Sequence, residues 1–140
     1  MKPVVIDASA ALAWMLKSQS TNAAMTFLVD RDAMIFEAPA VFEWEVRNVL
    51  LSLDRRGALT ARDYDEALAI HDDLDVRLNA QGFALHELAT LAREARLSLF
   101  DASYLALALD RGWALASRDE ALLTTAMLAG VECFDLRSAA

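Results

Sequence analysis

The chain has 140 residues, 56% of them hydrophobic and 24% charged, with only 4 Gly and 2 Pro. That length fits one domain, residues 1–140, and that composition excludes a disordered tract, a linker or a fibre. Asp and Glu number 21 against 13 Lys and Arg, so a formal charge of −8 argues against a basic nucleic-acid wrapper but not against a small site that reaches phosphate through a metal. Val4-Val5-Ile6 is a brief strand closed by Asp7, too short for a secretory core, and Ser9 opens an Ala/Leu-rich helix from Ala10 to Leu16. Thr21 to Val29 reads as a second helix, and Met34-Ile35-Phe36 as a second strand stopped before Pro39. From Val41 to about Leu53, the apolar residues Phe42, Val46, Val49, Leu50 and Leu53 recur at helical spacing. Gly57 ends that helix, and Thr60 with Asp63 caps the next, which runs to about Leu74. Val76 to Leu78 is a weaker strand, Phe83 to Ala95 a helix, and Leu99 to Leu109 a very apolar helix capped by Ser98 and ended by Gly112. Trp113 to Ala116, Asp119 to Leu128 and Val131 to Phe134 complete the chain as strand, helix and strand.

This alternation predicts an α/β fold: a central parallel sheet of about four to five short strands with helices on both faces. In such sheets the ligand crevice lies beyond the carboxyl ends of the strands, and four acids are placed to meet there. Asp7 closes the first strand, where helix capping is its ordinary duty. Glu45 falls on the edge of the apolar arc of its helix, while Glu43, Arg47 and Asp54 lie opposite; a carboxylate facing a core needs a cation, an Arg or a metal. Asp101 stands in the first turn of the most apolar helix, inside the capping box Ser98-Leu99-Phe100-Asp101. Asp119 follows the strand ending at Ala116. There Ser117 and Glu120 read as the capping pair, which leaves Asp119 free. Four converging carboxylates raise one another's pKa unless a cation compensates, and Mg²⁺ is the hard, oxygen-seeking choice. The chemistry that follows is attack of a metal-activated water on a phosphodiester.

Four segments extend over nearly the whole chain: Val5-Ile6-Asp7-Ala8-Ser9-Ala10, Pro39 with Glu45-Val46-Arg47-Asn48-Val49-Leu50, Leu97 to Ala108, and Leu115-Ala116-Ser117-Arg118-Asp119. In this order and spacing they resemble the PIN-domain ribonucleases, more narrowly the VapC-type toxins of toxin–antitoxin pairs. The resemblance implies a three-layer α/β/α fold, Mg²⁺ or Mn²⁺ dependence, and endonucleolytic cleavage of RNA. It places the metal-binding and catalytic acids at Asp7, Glu45, Asp101 and Asp119, with Ser9 and Ser117 as supporting hydroxyls. It also implies a cognate antitoxin protein that restrains the nuclease. No convincing fifth acid is present, and Thr60 to Asn79 is generic.

Helix one carries Leu12, Trp14, Met15 and Leu16, more apolar surface than one buried face uses, and Trp44 projects off the arc of its own helix. Trp14, Met15 and Trp44 are therefore candidates for a partner interface, with the antitoxin or a second copy in a homodimer. His71 and His86 read as surface residues, Cys133 as a small core residue, and Met15, Met25, Met34 and Met127 as core fillers. Arg47, Arg93, Arg96 and Arg118 could touch RNA phosphate or form ordinary salt bridges. With a lone cysteine and no apolar span able to cross a bilayer, the composition fits a reducing cytoplasm and no membrane. Rival readings are weaker. An adhesion module would need a second hydroxyl at Ala11, a receiver domain an adjacent acidic pair, and a haloacid-dehalogenase-like phosphatase an acid at Ser9. A PIN-fold RNA-processing nuclease without an antitoxin, and a non-catalytic partner-binding PIN-like module, are the remaining alternatives.

Overall fold

A computed structural model describes residues 1–80 and 82–137. Its elements run in chain order as β1 (Lys2–Ile6), α1 (Ala8–Met15), α2 (Asn22–Leu28), β2 (Met34–Pro39), α3 (Val41–Arg55) and α4 (Ala61–Leu74). They continue as β3 (Arg77–Asn79), α5 (Leu85–Ala95), α6 (Leu99–Arg111), β4 (Ala114–Ser117), α7 (Glu120–Leu128) and β5 (Cys133–Asp135). The strands form one parallel sheet in the order β3-β2-β1-β4-β5, which is the α/β architecture the sequence predicts. β1 sits at the centre, and the chain winds outward from it in both directions. The order therefore reverses between β1 and β4, where open parallel sheets place their ligand crevice. Val4, Val5 and Ile6 pair with Ala114, Leu115 and Ala116, so Asp7 and Ser117 emerge side by side at this switch point.

Polar side chains set the helix starts. Asp7, Thr21, Thr60, Ser98 and Asp119 each accept an amide N–H from the first turn of α1, α2, α4, α6 and α7 respectively. Asp7 thus caps α1, as its place at the end of β1 predicts, whereas α7 is capped by Asp119 and not by Ser117 with Glu120. An acid with a favourable place at a helix N-terminus does not need its neighbours for that duty. Gly112 ends α6 at φ +68°, a left-handed conformation that costs a glycine little.

α1 packs against α2, α3 and α4, and α6 against α5 and α7, which places the two groups on opposite faces by the right-handed crossover rule. Between them lie the fully buried Val4, Val5, Ile6, Phe42, Leu50, Tyr104, Leu115 and Leu122. Ala102 to Ala108 are buried without a break, as the uncharged run of α6 predicts.

Trp14 and Met15 are corrected by this packing. Three helices and the sheet surround α1, so both residues are core. Trp14 stacks on Phe36 with ring centroids 5.2 Å apart and donates its indole N–H to the Ala24 carbonyl at 2.9 Å. Trp44 instead is 80% exposed. His71 is also not a surface residue: it is buried against the Phe42 ring, with Nε2 2.9 Å from Glu43 Oε1, both partners coming from α3. His86 is exposed as expected, Cys133 is half-buried, and Met25 and Met127 lie on the surface, not in the core. No helix among the described residues is long and apolar enough to cross a membrane.

Candidate active site

The site grows from the end of β1. Asp7 is 3% exposed, and its carboxylate is enclosed by neutral donors alone. Oδ1 accepts from the Ser9 hydroxyl at 2.7 Å and from the Ala10 amide at 2.8 Å, and Oδ2 accepts from the Ser117 hydroxyl at 2.5 Å. The same two serines reach further. Ser117 Oγ accepts the Asp119 amide at 2.9 Å, and Ser9 Oγ accepts the Arg118 amide at 2.9 Å. The hydroxyls thereby lock the turn after β4 onto the turn after β1. This gives Ser9 and Ser117 a physical role as supports of the acid between them.

Glu45, Asp101 and Asp119 approach from α3, α6 and the cap of α7. Each is half-buried, and their charges act on one another: Asp7 feels Glu45, Glu45 feels Asp101 and Asp119, and Asp101 feels Asp119 and Asp7. The structure thus brings all four predicted acids near enough for their charges to interact. Burial pushes the Asp7 carboxyl up to about 6 against the opposing pull of its hydrogen bonds. Burial, then the charges of Asp119 and Asp7, pushes Asp101 up to about 6 as well. Glu45 is raised by burial and by Asp101 and Asp119. Among the described residues, no Lys, Arg or His forms an ion pair with any of the four.

A set of oxygen donors carrying uncompensated negative charge has the chemistry of a hard divalent-cation site. The side chains do not yet form a closed ligand shell: among the described residues, no three His, Cys, Asp or Glu are gathered tightly enough to hold an ion as they stand. The fit is one of charge and donor type, with Asp7 fixed and the other three at the rim.

Tyr104 was not among the residues singled out from sequence. It is fully buried and donates its hydroxyl to Glu45 Oε1 at 2.7 Å. Burial and the adjacent Glu45 charge raise its pKa, so it stays a phenol and a donor. Its position three residues after Asp101, on the same helix face, was the available signal.

The model of the PIN domain matches residues 4–127. The chain belongs to the PIN-domain family. It is 34% identical over 119 residues to Ribonuclease VapC3 of Mycobacterium tuberculosis, covering 85% of this chain and 84% of that protein, which supports the VapC-type resemblance. Its fold is similar to that of PAE2754 from Pyrobaculum aerophilum, with a TM-score of 0.69 at 21% identity over 95% of this chain and 91% of that one. The crystal structure of FitAcB from Neisseria gonorrhoeae contains a chain similar in fold, with a TM-score of 0.63 at 15% identity over 96% of this chain and 98% of that one. The PIN match extends from β1 into α7 and so includes all four acids.

Proposed function

We propose that this PIN-domain protein is a metal-dependent endoribonuclease that hydrolyses RNA phosphodiester bonds and acts as the toxin of a type II toxin–antitoxin system. The observation that carries the reading is that Asp7, Glu45, Asp101 and Asp119 approach one another at the switch point with no ion-paired cation among the described residues. The likeness to Ribonuclease VapC3 supports RNA as the substrate. The donor set suits Mg²⁺, with Mn²⁺ also accepted, and Asp7 and Asp101 are the principal ligands, completed by Glu45 and Asp119. Such an ion, when bound, supplies an activated water and charge stabilisation at the phosphodiester. The chain's own part is to hold the carboxylates. Ser9, Ser117 and the Ala10 amide fix both oxygens of Asp7, and Tyr104 fixes Glu45.

Two protein contacts belong to the proposal: a cognate antitoxin and a second copy in a homodimer. A charge of −8 favours a basic inhibitor segment. The surface offered is the open groove of about 850 Å³ beside the acids, where Trp44, Leu51 and Phe100 are exposed, and not the buried Trp14 or Met15. Cytoplasmic residence accords with the lone cysteine. Incubating single-stranded RNA with the protein and Mg²⁺, Mn²⁺ or a chelator tests the core of the reading. Cleavage should require a divalent ion and vanish in Asp7→Asn and Asp101→Asn. RNA left intact by wild type at every metal concentration would remove the nuclease assignment.

A further inference from the structure

Arg118 stands on the turn between β4 and α7, between two residues of the acid site. The arginines 47, 62, 77, 111 and 137 all have a carboxylate as ion-pair partner. Arg118 lies near enough to the acid cluster for the charge of Asp7 to act on it, yet among the described residues it pairs with no acid. Its Nε donates to the Ser9 carbonyl at 2.9 Å and its Nη2 to Gln19 Oε1 at 2.6 Å. Both acceptors are neutral. The Asp7 carboxylate is bonded by the Ser9 and Ser117 hydroxyls and the Ala10 amide, and the guanidinium bonds neutral acceptors instead of that carboxylate.

The consequence is a half-buried cation held in one orientation with its charge unspent. A guanidinium has five N–H donors in a rigid fork, and two bonds leave Nη1 with no acceptor among the described residues. Fixing Arg118 to the backbone of α1 and to the 3₁₀ turn Lys17–Gln19 lowers the entropy lost when those donors meet an anion. The cluster beside it carries four carboxylates, which would repel a polyanion; a fixed cation at its margin counters that repulsion for one approaching phosphate.

We propose that Arg118 is a positioning residue that binds a phosphate of the RNA strand next to the scissile one, guiding the strand onto the carboxylate site. This rests on the nuclease reading above. Ground-state binding of a phosphate not itself undergoing reaction belongs in KM and in the salt dependence.

The test is steady-state cleavage of a fluorogenic single-stranded RNA by the full chain, at fixed Mn²⁺ and a series of NaCl concentrations. Arg118→Gln should raise KM about 10- to 100-fold, as expected for one charge-assisted contact, with kcat changed much less. The slope of log(kcat/KM) against log[NaCl] should become shallower by about 0.7, the value for one phosphate contact on a single strand. Arg118→Lys should keep the slope and recover part of KM. Gln19→Ala, which loosens the guanidinium but leaves its charge, should raise KM less than Arg118→Gln and keep the slope. An Arg118→Gln enzyme with an unchanged salt slope overturns the proposal; a fall in kcat with a lowered melting temperature would then mark Arg118 as a clamp on the Ser9 turn alone. A wild type that cleaves no RNA overturns the nuclease reading itself, a distinct outcome.

Discussion

Two acids lie buried in neighbouring strands or at their ends, and their surroundings are opposite. Glu37, in the middle of β2, is 4% exposed; Arg77 lies 3.8 Å away, and Asn79 donates to Oε1 at 3.2 Å. Its charge is answered across the β2–β3 pair. Asp7, 3% exposed at the end of β1, has hydroxyls and an amide around it but no ion-paired cation, and its charged neighbours in the crevice include three more acids. Burial alone therefore does not set the two acids apart. The ion pair does: Arg77 supplies one to Glu37, and among the described residues no cation pairs with Asp7. An acid so treated is destabilising until something from outside the chain neutralises it.

The sharpest way to test the contrast is to neutralise each acid. Asp7→Asn should reduce RNA cleavage at least about 100-fold, since removing even the support of a metal ligand costs about 10- to 100-fold. Its melting temperature should stay at or above the wild-type value, because the amide oxygen still accepts from Ala10 and Ser9 while the unpaired charge is gone. Glu37→Ala should do the reverse, losing about 1–3 kcal/mol by stripping Asn79 of a partner, with cleavage near wild type. Equal behaviour of the two variants in both assays would dissolve the distinction.

Supplying the missing charge is the second test. A divalent ion at ~100 times its Kd should stabilise the fold by about 2.7 kcal/mol, or roughly 9 °C in a chain of this length. Glu37→Ala should show the same gain as wild type, and Asp7→Asn should lose most of it. Differential scanning fluorimetry with Mn²⁺ reads all three; a flat response in wild type speaks against the acids as a metal site.

The third test uses pH. Asp7 ordinarily titrates near 3.8 and is raised to about 6 in the fold, so the folded chain binds more protons than the unfolded chain between those values. Stability must then fall as pH rises from about 4 through 6, and the deficit persists above that. Asp101 moves in the same direction, but its exposure to solvent screens its share. Relative to Asp7→Asn, the metal-free wild type should lose on the order of 1–3 kcal/mol over this window, measured by urea unfolding at stepped pH. A difference that grows in the opposite direction would mean that Asp7 is stabilised as an anion.

Much of this was legible in the sequence, and the limits have physical causes. Strand ends and helix starts are local signals, so Asp7, Asp101 and Asp119 could be placed from their neighbours, and Glu45 from the arc of α3. The capping of α7 by Asp119 was misread because Ser117 and Glu120 offered an equally good local pattern; the Ser117 hydroxyl is instead turned to Asp7, 110 residues away in sequence. Trp14 and Met15 were misplaced because the one-buried-face rule describes a peripheral helix, whereas α1 follows the central strand and is enclosed on several sides. His71 was judged by the acids of its own helix, but its environment is Phe42 and Glu43 of α3. Non-local partners are what one-dimensional patterns omit.

Tyr104 is the clearest such omission, and it gives the smallest of the expected effects. Its sequence signals were a phenol inside an apolar helix and a place three residues after Asp101, and its partner Glu45 is 59 residues away. A buried phenol needs an acceptor, and a carboxylate at the rim of an uncompensated cluster needs a donor, so each satisfies the other. Tyr104→Phe keeps the ring in the core and removes only the hydroxyl. Because that bond holds the Glu45 carboxyl lower than burial alone would, its loss should raise the Glu45 pKa further and free the side chain to move. Cleavage should fall about 10-fold at neutral pH, the low end for a group supporting a ligand, with a stability change of about 1 kcal/mol. The acidic limb of the pH–rate profile should also shift upward, because Glu45 then stays protonated to higher pH. That shift separates Tyr104 from a mere core residue, whose trimming would lower the melting temperature and leave the profile in place.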